Sequence, residues 1–412
     1  MGRRYSISGV AGVVLLLTIV GCAPIGAPVT PSPIPSTTTS TTTSNGVCAA
    51  GPVAARAVAG LSDFTRWLSR ERVAGVVGEV GWPGTGADAA SWNAVAARWF
   101  QSADQAGVGA IQWATGEWWQ TSYALSPYVA PFDGAAVSQS RPGAAVLEAH
   151  LSVNGTTGST TWRGVTVAGG EFSAPGPLTS PSSFSNLRPG VYDTNYHFDQ
   201  ASTFTYLASR GITLVRIPFR WEVIQRAPLA ALDTTEVARL RAVVARAHAA
   251  GLSVLLDVHN YGAYWLDQSG SGIRRAIGST QVPRSAFADL WSRLATEFAS
   301  TPGVVGYGLM NEPVNLPGAT ASAEAQAWEQ DSQAAVDAIR LVDTNTTVVV
   351  GGYEWSGATG WSVRHPRAWI IDPAGKVRYE AHDYFDEDGS GTYVQSYATE
   401  VARAGAWVSA PC

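Results

Sequence analysis

One pattern limits this chain more than any other: a short apolar run of strand length, ended by polar or aromatic residues, that recurs along the sequence. The runs are Val73–Trp82, Val108–Trp113, Trp162–Ala168, Ile212–Phe219, Leu252–Val258, Val304–Leu309, Thr347–Gly351 and Arg378–Ala381. Helical periodicity fills most of the gaps between them. Strands alternating with helices specify a parallel α/β sheet, and eight is the number that closes into a barrel. A doubly wound open sheet is the competing α/β fold, but no glycine-rich phosphate loop follows any run. Six strands plus a detached pair would leave bare sheet edges. The expected fold is one (β/α)8 TIM barrel spanning residues 48–412.

The helical segments are marked by spacing and caps. Val58, Leu61, Phe64, Trp67 and Leu68 share one face of a helix over Ala54–Arg70, and Trp92, Val95, Ala96, Trp99 and Phe100 share one face of a helix opened by Asp88. Phe204, Leu207 and Ala208 lie on a helix that stops at Gly211. Asp233 caps another, with Glu236 completing a capping box and Gly251 ending it. Further helices are expected over Ser285–Ser300, Ala321–Leu341 and Val394–Val408. Val129–Thr161 reads as a long connection holding a hairpin and one strand at Ala145–Leu151.

Residues 1–22 read as an export signal. Arg3 and Arg4 precede an uncharged apolar run from Ile7 to Val20, which is short for a membrane span. The run ends at Ile19-Val20-Gly21-Cys22, which resembles a bacterial lipobox with Cys22 as the lipidated residue. Cleavage near Ala23 or Ala27 is the alternative, giving a free secreted protein. Residues 23–47 are rich in Pro, Ser and Thr and read as a flexible tether. Any membrane contact is expected only through the N-terminal lipid, so the protein is expected outside the cell or on its surface. Cys48 and Cys412 remain, and in an oxidising compartment they read as a disulfide, with two unpaired thiols as the alternative. A net charge of −5 with no basic stretch argues against nucleic acid as a partner. The 16 Trp and 14 Tyr favour a carbohydrate partner, because aromatic faces stack on sugar rings as well as filling cores.

Chemistry is expected at the carboxyl ends of the strands. The run Gly308–Pro313 (GLMNEP) puts Asn311 and Glu312 there, and VVGEVGW puts Glu79 there. Either glutamate alone could be a structural ion-pair partner. Together in one cleft, with Trp113, His259, Tyr261, His382 and Tyr384 at other strand ends, they are what glycoside hydrolysis requires. No metal or other cofactor is expected. His259 and His382 have no ligand-like spacing, and Asp386-Glu387-Asp388-Gly389 lacks the closing glutamate of a calcium loop.

The stretches RGVTVAGGEF, VRIPFRWEVIQ, LLDVHNYGAYW, GLMNEP, YEAHDYFDEDGSGTY, VVGEVGWP and WATGEWW resemble glycoside hydrolase family 5, the large cellulase and mannanase family. In that family the VVGEVGW and WATGEWW strands are the seventh and eighth. Here they come first, so the resemblance implies a circularly permuted barrel whose termini fall in the helical segment between the sixth and seventh strands. A Cys48–Cys412 bond would then rejoin the cut, and a domain-swapped dimer is the alternative to a monomer. The resemblance implies Glu312 as acid/base, Glu79 as nucleophile, and Arg216 and Tyr384 as hydrogen-bond partners of the nucleophile. It implies Asn311 on the sugar 2-hydroxyl, His259 and His382 lining the cleft, and Trp113 as the platform under the sugar. Asn260 and Trp265 are further substrate-side candidates. The implied activity is retaining hydrolysis of β-glucan, read as endo-β-1,4-glucanase. The alternatives are a β-mannanase or other β-glucan hydrolase, or a non-catalytic carbohydrate-binding lipoprotein.

Overall fold

A computed structural model describes residues 51–151, 162–176 and 181–408. Cys22, Cys48, Cys412 and the segments read as an export signal and a tether lie outside the described residues. Eight parallel strands close into a barrel: β1 (Ala74–Gly81), β2 (Gly109–Thr115), β3 (Arg163–Val167), β4 (Leu214–Phe219), β5 (Ser253–Val258), β6 (Val304–Gly308), β7 (Thr347–Gly351) and β8 (Val377–Tyr384). Each strand pairs with its neighbours in sequence, and β8 returns to pair with β1. The two runs that come first in the chain are therefore integral staves of the barrel.

Ten helices are described: α1 (Pro52–Glu71), α2 (Ala89–Gln105), α3 (Pro142–Glu148), α4 (Ala201–Ser209), α5 (Trp221–Ile224), α6 (Thr234–Ala249), α7 (Arg284–Phe298), α8 (Ala321–Arg340), α9 (Trp361–Arg364) and α10 (Tyr397–Val408). The long ones bury one apolar stripe. In α1 that stripe is Val53, Ala57, Leu61, Phe64, Trp67 and Leu68, and Arg72 in the left-handed region ends the helix. Arg56 on α1 joins the two ends of the fold. Its guanidinium donates to Phe385 O at 2.6 Å and to Glu400 Oε2 on α10 at 2.7 Å.

Two local expectations fail. The strand expected at Ala145–Leu151 is the helix α3. Arg141 and Pro142 start it, and its buried residues Ala144 and Leu147 are spaced for a helix face instead of alternating. The capping box at α6 is half present. Asp233 accepts from the Thr235 and Glu236 amides, but the Glu236 carboxylate turns to Arg239 at 2.5 Å. An arginine one turn along offers a charged donor, which outcompetes a return bond to the backbone. The expected hairpin is present as a two-residue ribbon, Tyr128–Val129 with Gln139–Ser140. A second ribbon, Ala263–Gln268 with Ser271–Ala276, lies beyond β5.

The barrel interior is layered. Val76, Ile111, Leu214, Leu255 and Val349 fill its lower part, with Trp162 packed against them and Arg378 stacked 4.8 Å from that ring. One layer up, alternation by two brings Arg216, Asp257 and Glu380 inward, all buried. At the top, β1 needs a device. Val77 pairs with Ala381 and Glu79 with His382, so Gly78 is an extra residue, a bulge in the register. Without it Glu79 would face outward, because Val76 faces in. The bulge turns the carboxylate into the barrel mouth.

Candidate active site

Glu79 and Glu312 meet at the carboxyl end of the barrel. A carboxylate oxygen of each and a ring nitrogen of His382 lie within 4.8 Å of one another. Glu312 follows β6 in a turn with φ +44°, a strained value for a non-glycine residue. The turn is held open by its neighbours: Asn311 N donates to Val258 O at 2.8 Å, Tyr261 N to Asn311 O at 3.0 Å, and Glu354 N to Pro313 O at 2.9 Å.

Glu79 is 3% exposed and accepts two strong bonds. Arg216 Nη1 donates to Oε1 at 2.6 Å, and the Tyr384 hydroxyl donates to Oε2 at 2.7 Å. Arg216 also donates from Nη2 to Asn311 Oδ1 at 2.8 Å and lies 3.1 Å from Asp257. Burial alone would weaken its charge, but Asp257, Glu380 and Glu79 around it outweigh that and hold the cation more firmly than usual.

These bonds fix the amide of Asn311. Its oxygen takes Arg216, so its Nδ2 donates, and the acceptor at 3.2 Å is His259 Nε2. The Tyr261 hydroxyl also lies 3.2 Å from Nε2. His259 Nδ1 stands 2.8 Å from Asp257 Oδ2 and must carry the ring proton. Burial drives its pKa well below the ordinary value, so the ring is neutral. His382 is the opposite case. Its Nδ1 lies 2.8 Å from Glu312 Oε1 and 3.5 Å from Glu79 Oε2. Burial opposes its charge, yet the carboxylates of Glu79, Glu312 and Glu380 around it prevail and push its pKa up to about 10. Burial likewise raises the pKa of Glu312, more than the bond to His382 lowers it.

Trp113 lies near the carboxyl end of β2, beside these groups. Its ring lies parallel to His259, 5.5 Å between centroids at 19°. Its Nε1 donates to the Tyr123 hydroxyl at 3.2 Å. Glu79, Glu312, Arg216, Asn311, His259, His382, Tyr384 and Trp113 are thus brought together.

Asn260 and Trp265 are placed otherwise. Asn260 Nδ2 donates to both oxygens of Glu222 and to Ala263 O, and its Oδ1 accepts the Trp221 amide. All its capacity is used inside the loop scaffold. Trp265 is buried on the ribbon after β5, and its backbone N–H donates to Glu222 Oε1 at 2.6 Å. Glu222 is the buried post to which both are tied.

The sequence reading missed Asp257 and Glu380. Their signal was present: each stands two residues before a histidine, in DVH and EAH, so each shares its inward face. A second cluster, Glu117, His197 and Asp199, gathers within 4.8 Å. Here Glu117 accepts from Gln200 N, Thr203 Oγ1, Gln200 Nε2 and His197 Nε2, which ties the end of β2 to the start of α4.

The family model described as Cellulase (glycosyl hydrolase family 5) matches residues 174–409. The chain belongs to glycosyl hydrolase family 5. It is 28% identical over 267 residues to Endoglucanase gh5-1 of Neurospora crassa, covering 62% of this chain and 59% of that protein. It is 32% identical over 216 residues to Endoglucanase 3 of Humicola insolens, covering 52% and 50%. The chain therefore spans between 50% and 59% of the length of these curated relatives. Among solved structures, the endoglucanase Cel5A of Pseudomonas stutzeri is 35% identical, with 60% of this chain and 72% of that chain covered and a TM-score of 0.47. The family 5 match holds Arg216, His259, Asn311, Glu312, His382 and Tyr384, whereas Glu79 and Trp113 stand ahead of it.

Proposed function

We propose that this family 5 protein is a retaining glycoside hydrolase that cleaves β-1,4-glucan internally, with Glu312 as acid/base and Glu79 as nucleophile. The observation that carries the reading is the approach of the two carboxylates, with oxygens within 4.8 Å. Retaining enzymes hold their carboxyl groups about 5–5.5 Å apart, and inverting ones leave room for a water between them. Burial favours the protonated form of Glu312, which suits it to give its proton to the leaving glycosidic oxygen. Glu79, held by Arg216 and Tyr384, attacks the anomeric carbon from the other face, and the bond to the leaving sugar breaks. Glu312, now a carboxylate, takes a proton from water. That water displaces Glu79, and the configuration is retained. Asn311 holds the sugar 2-hydroxyl, His259 and His382 line the cleft, and Trp113 supplies the ring beneath the sugar. Relatives named endo-beta-1,4-glucanase, from Aspergillus niger and Emericella nidulans, supply β-1,4-glucan as the substrate class.

The same reading includes the chain order. β1, β2 and β3 all precede the family match in sequence, and β1 and β2 stand between β8 and β3 in the barrel. This supports a circular permutation in which the family's last two strands come first. The helices that follow Cys48 and precede Cys412 pack on each other, joined by Arg56 and Glu400, which supports a Cys48–Cys412 bond. A monomer is part of the proposal, with a swapped dimer as its alternative. Export and lipidation at Cys22 complete the proposal.

The test is reducing-sugar release by the full chain on carboxymethyl cellulose, mixed-linkage β-glucan, mannan and xylan. Glu79→Gln and Glu312→Gln run beside the parent. Glucan hydrolysis lost in both variants is expected. Oligosaccharide binding without turnover in the parent would overturn the reading in favour of a binding protein, and turnover of mannan alone would move the substrate class.

A further inference from the structure

His382 faces a carboxylate from each side. Its Nδ1 points to Glu312 and Glu79. Its Nε2 points down the barrel to Glu380 Oε1 at 3.7 Å, the same oxygen that lies 3.7 Å from Arg216 Nη2. Glu380 is 1% exposed, and its Oε1 and His382 Nε2 are each buried without a closer partner. The space for this carboxylate is built. A Cβ on Gly78 would land 1.6 Å from Glu380 Oε1, so the bulge residue of β1 has to be glycine for Glu380 to sit there.

We infer that Glu380 is a positioning residue that keeps His382 doubly protonated, so that its Nδ1–H serves both reacting carboxylates in turn. The inference rests on the proposed roles of Glu79 and Glu312. In the first step one negative charge leaves Glu79, which becomes an ester, and one appears on Glu312, which loses its proton. The imidazolium stays within 3.5 Å of both, so the charge moves between two ends of one fixed cation. The bond from Nδ1–H to Glu312 Oε1 also leaves the acid proton on Oε2, free to face the leaving oxygen. The other charged or titratable groups near His382 are Arg216, Asp257 and neutral His259, with Tyr384 two residues along the strand. Of these groups and the two reacting carboxylates, Glu380 is the carboxylate that faces Nε2.

The experiment reads protonation directly. The full chain carrying ring-¹⁵N histidine is titrated by NMR, with the His382 signals identified by their loss in His382→Asn. Both ring nitrogens are expected to stay protonated from pH 5 to 8 in the parent and to titrate within that range in Glu380→Gln. A parent ring with one bare nitrogen at pH 7 would overturn the inference, whatever polysaccharide the enzyme cuts. If hydrolysis itself were absent, the proposed function would fail separately. The kinetic arm compares pH profiles on the cleaved glucan. In Glu380→Gln, kcat should fall about tenfold per pH unit above the lowered His382 pKa, with KM within about twofold of the parent. Glu380→Asp should restore part of the alkaline activity. A parent-like pH profile in a folded Glu380→Gln would sink the idea, and the parent titration decides it if that variant does not fold.

Discussion

Arg216 Nη1 lies 2.6 Å from Glu79 Oε1, and the arginine side chain is wholly buried. The same guanidinium reaches Asn311 and Asp257, so one planar cation orients three acceptors. Lysine offers a single point charge and cannot reproduce the fork. Arg216→Lys should therefore lower kcat by about 10²-fold or more. Arg216→Ala should also destabilise the fold by roughly 3–5 kcal/mol, because Glu79 and Asp257 are left buried without their partner. Steady-state kinetics and denaturant melts check the two effects separately.

The two glutamates should fail differently. Glu312→Gln should cost about 10²–10⁴-fold on a substrate that needs leaving-group protonation, and far less on an aryl glycoside whose leaving group departs unaided. Glu79→Gln should lose about 10⁴-fold or more on both. Proton NMR of the first-formed product anomer should show the β configuration kept. An initial α product would remove the nucleophile role from Glu79.

The alkaline limb of kcat/KM should lie above the ordinary glutamate pKa of 4.5, because burial raises that of Glu312 and the reaction needs it protonated. A limb at or below that value would take the acid role away from Glu312.

Asp383 makes a stability prediction. It sits on β8 with its Oδ2 accepting Trp99 Nε1 at 2.7 Å, and burial raises its pKa from 3.8 to about 7. A raised folded pKa means the contribution is fully present below the unfolded value and is lost as pH rises through about 7. Asp383→Asn keeps an acceptor for Trp99 and cannot ionise. It should match the parent below about pH 4, gain on it as pH rises from there to about 7, and melt several degrees higher at pH 8. Thermal scans across that range give the answer.

Arg56 tests the join between the chain's two ends. Glu400 is almost completely buried against it. Arg56→Met should lower stability by roughly 3 kcal/mol while leaving kcat at low temperature unchanged. An unaltered melting temperature would show that α1 and α10 do not depend on this bridge.

Much of this was legible in the sequence, for physical reasons that also mark where reading stops. Strands buried on both faces read as apolar runs, and their first polar residues fall at the mouth, so Glu79, Asn311, Glu312, His259 and His382 could be picked out. Asp257 and Glu380 are equally inward, but inside a run a charged residue reads as an exposed position until its layer is known. Asn260 stands at a strand end, and only the three-dimensional placement of Glu222 shows that its amide is fully engaged. The Gly78 bulge is silent in sequence, because one extra residue changes no composition and every orientation after it. Ala145–Leu151 was misread because a short alanine-rich segment carries too few large side chains to display its period.

The seam between β1 and β8 has a consequence for how the molecule comes into being. Ala74 is registered with Arg378 and Gly81 with Tyr384, partners about three hundred positions apart along the chain. Synthesis runs from the amino end, so Glu79 is among the first site residues made, and His382 and Tyr384 are the last. Until β8 is released, β1 has one vacant edge and Glu79 lacks two of its neighbours. Pairings this distant are slow to find. The candidate site is thus incomplete until β8 has been made, and the step that closes the cylinder is the same step that completes the site.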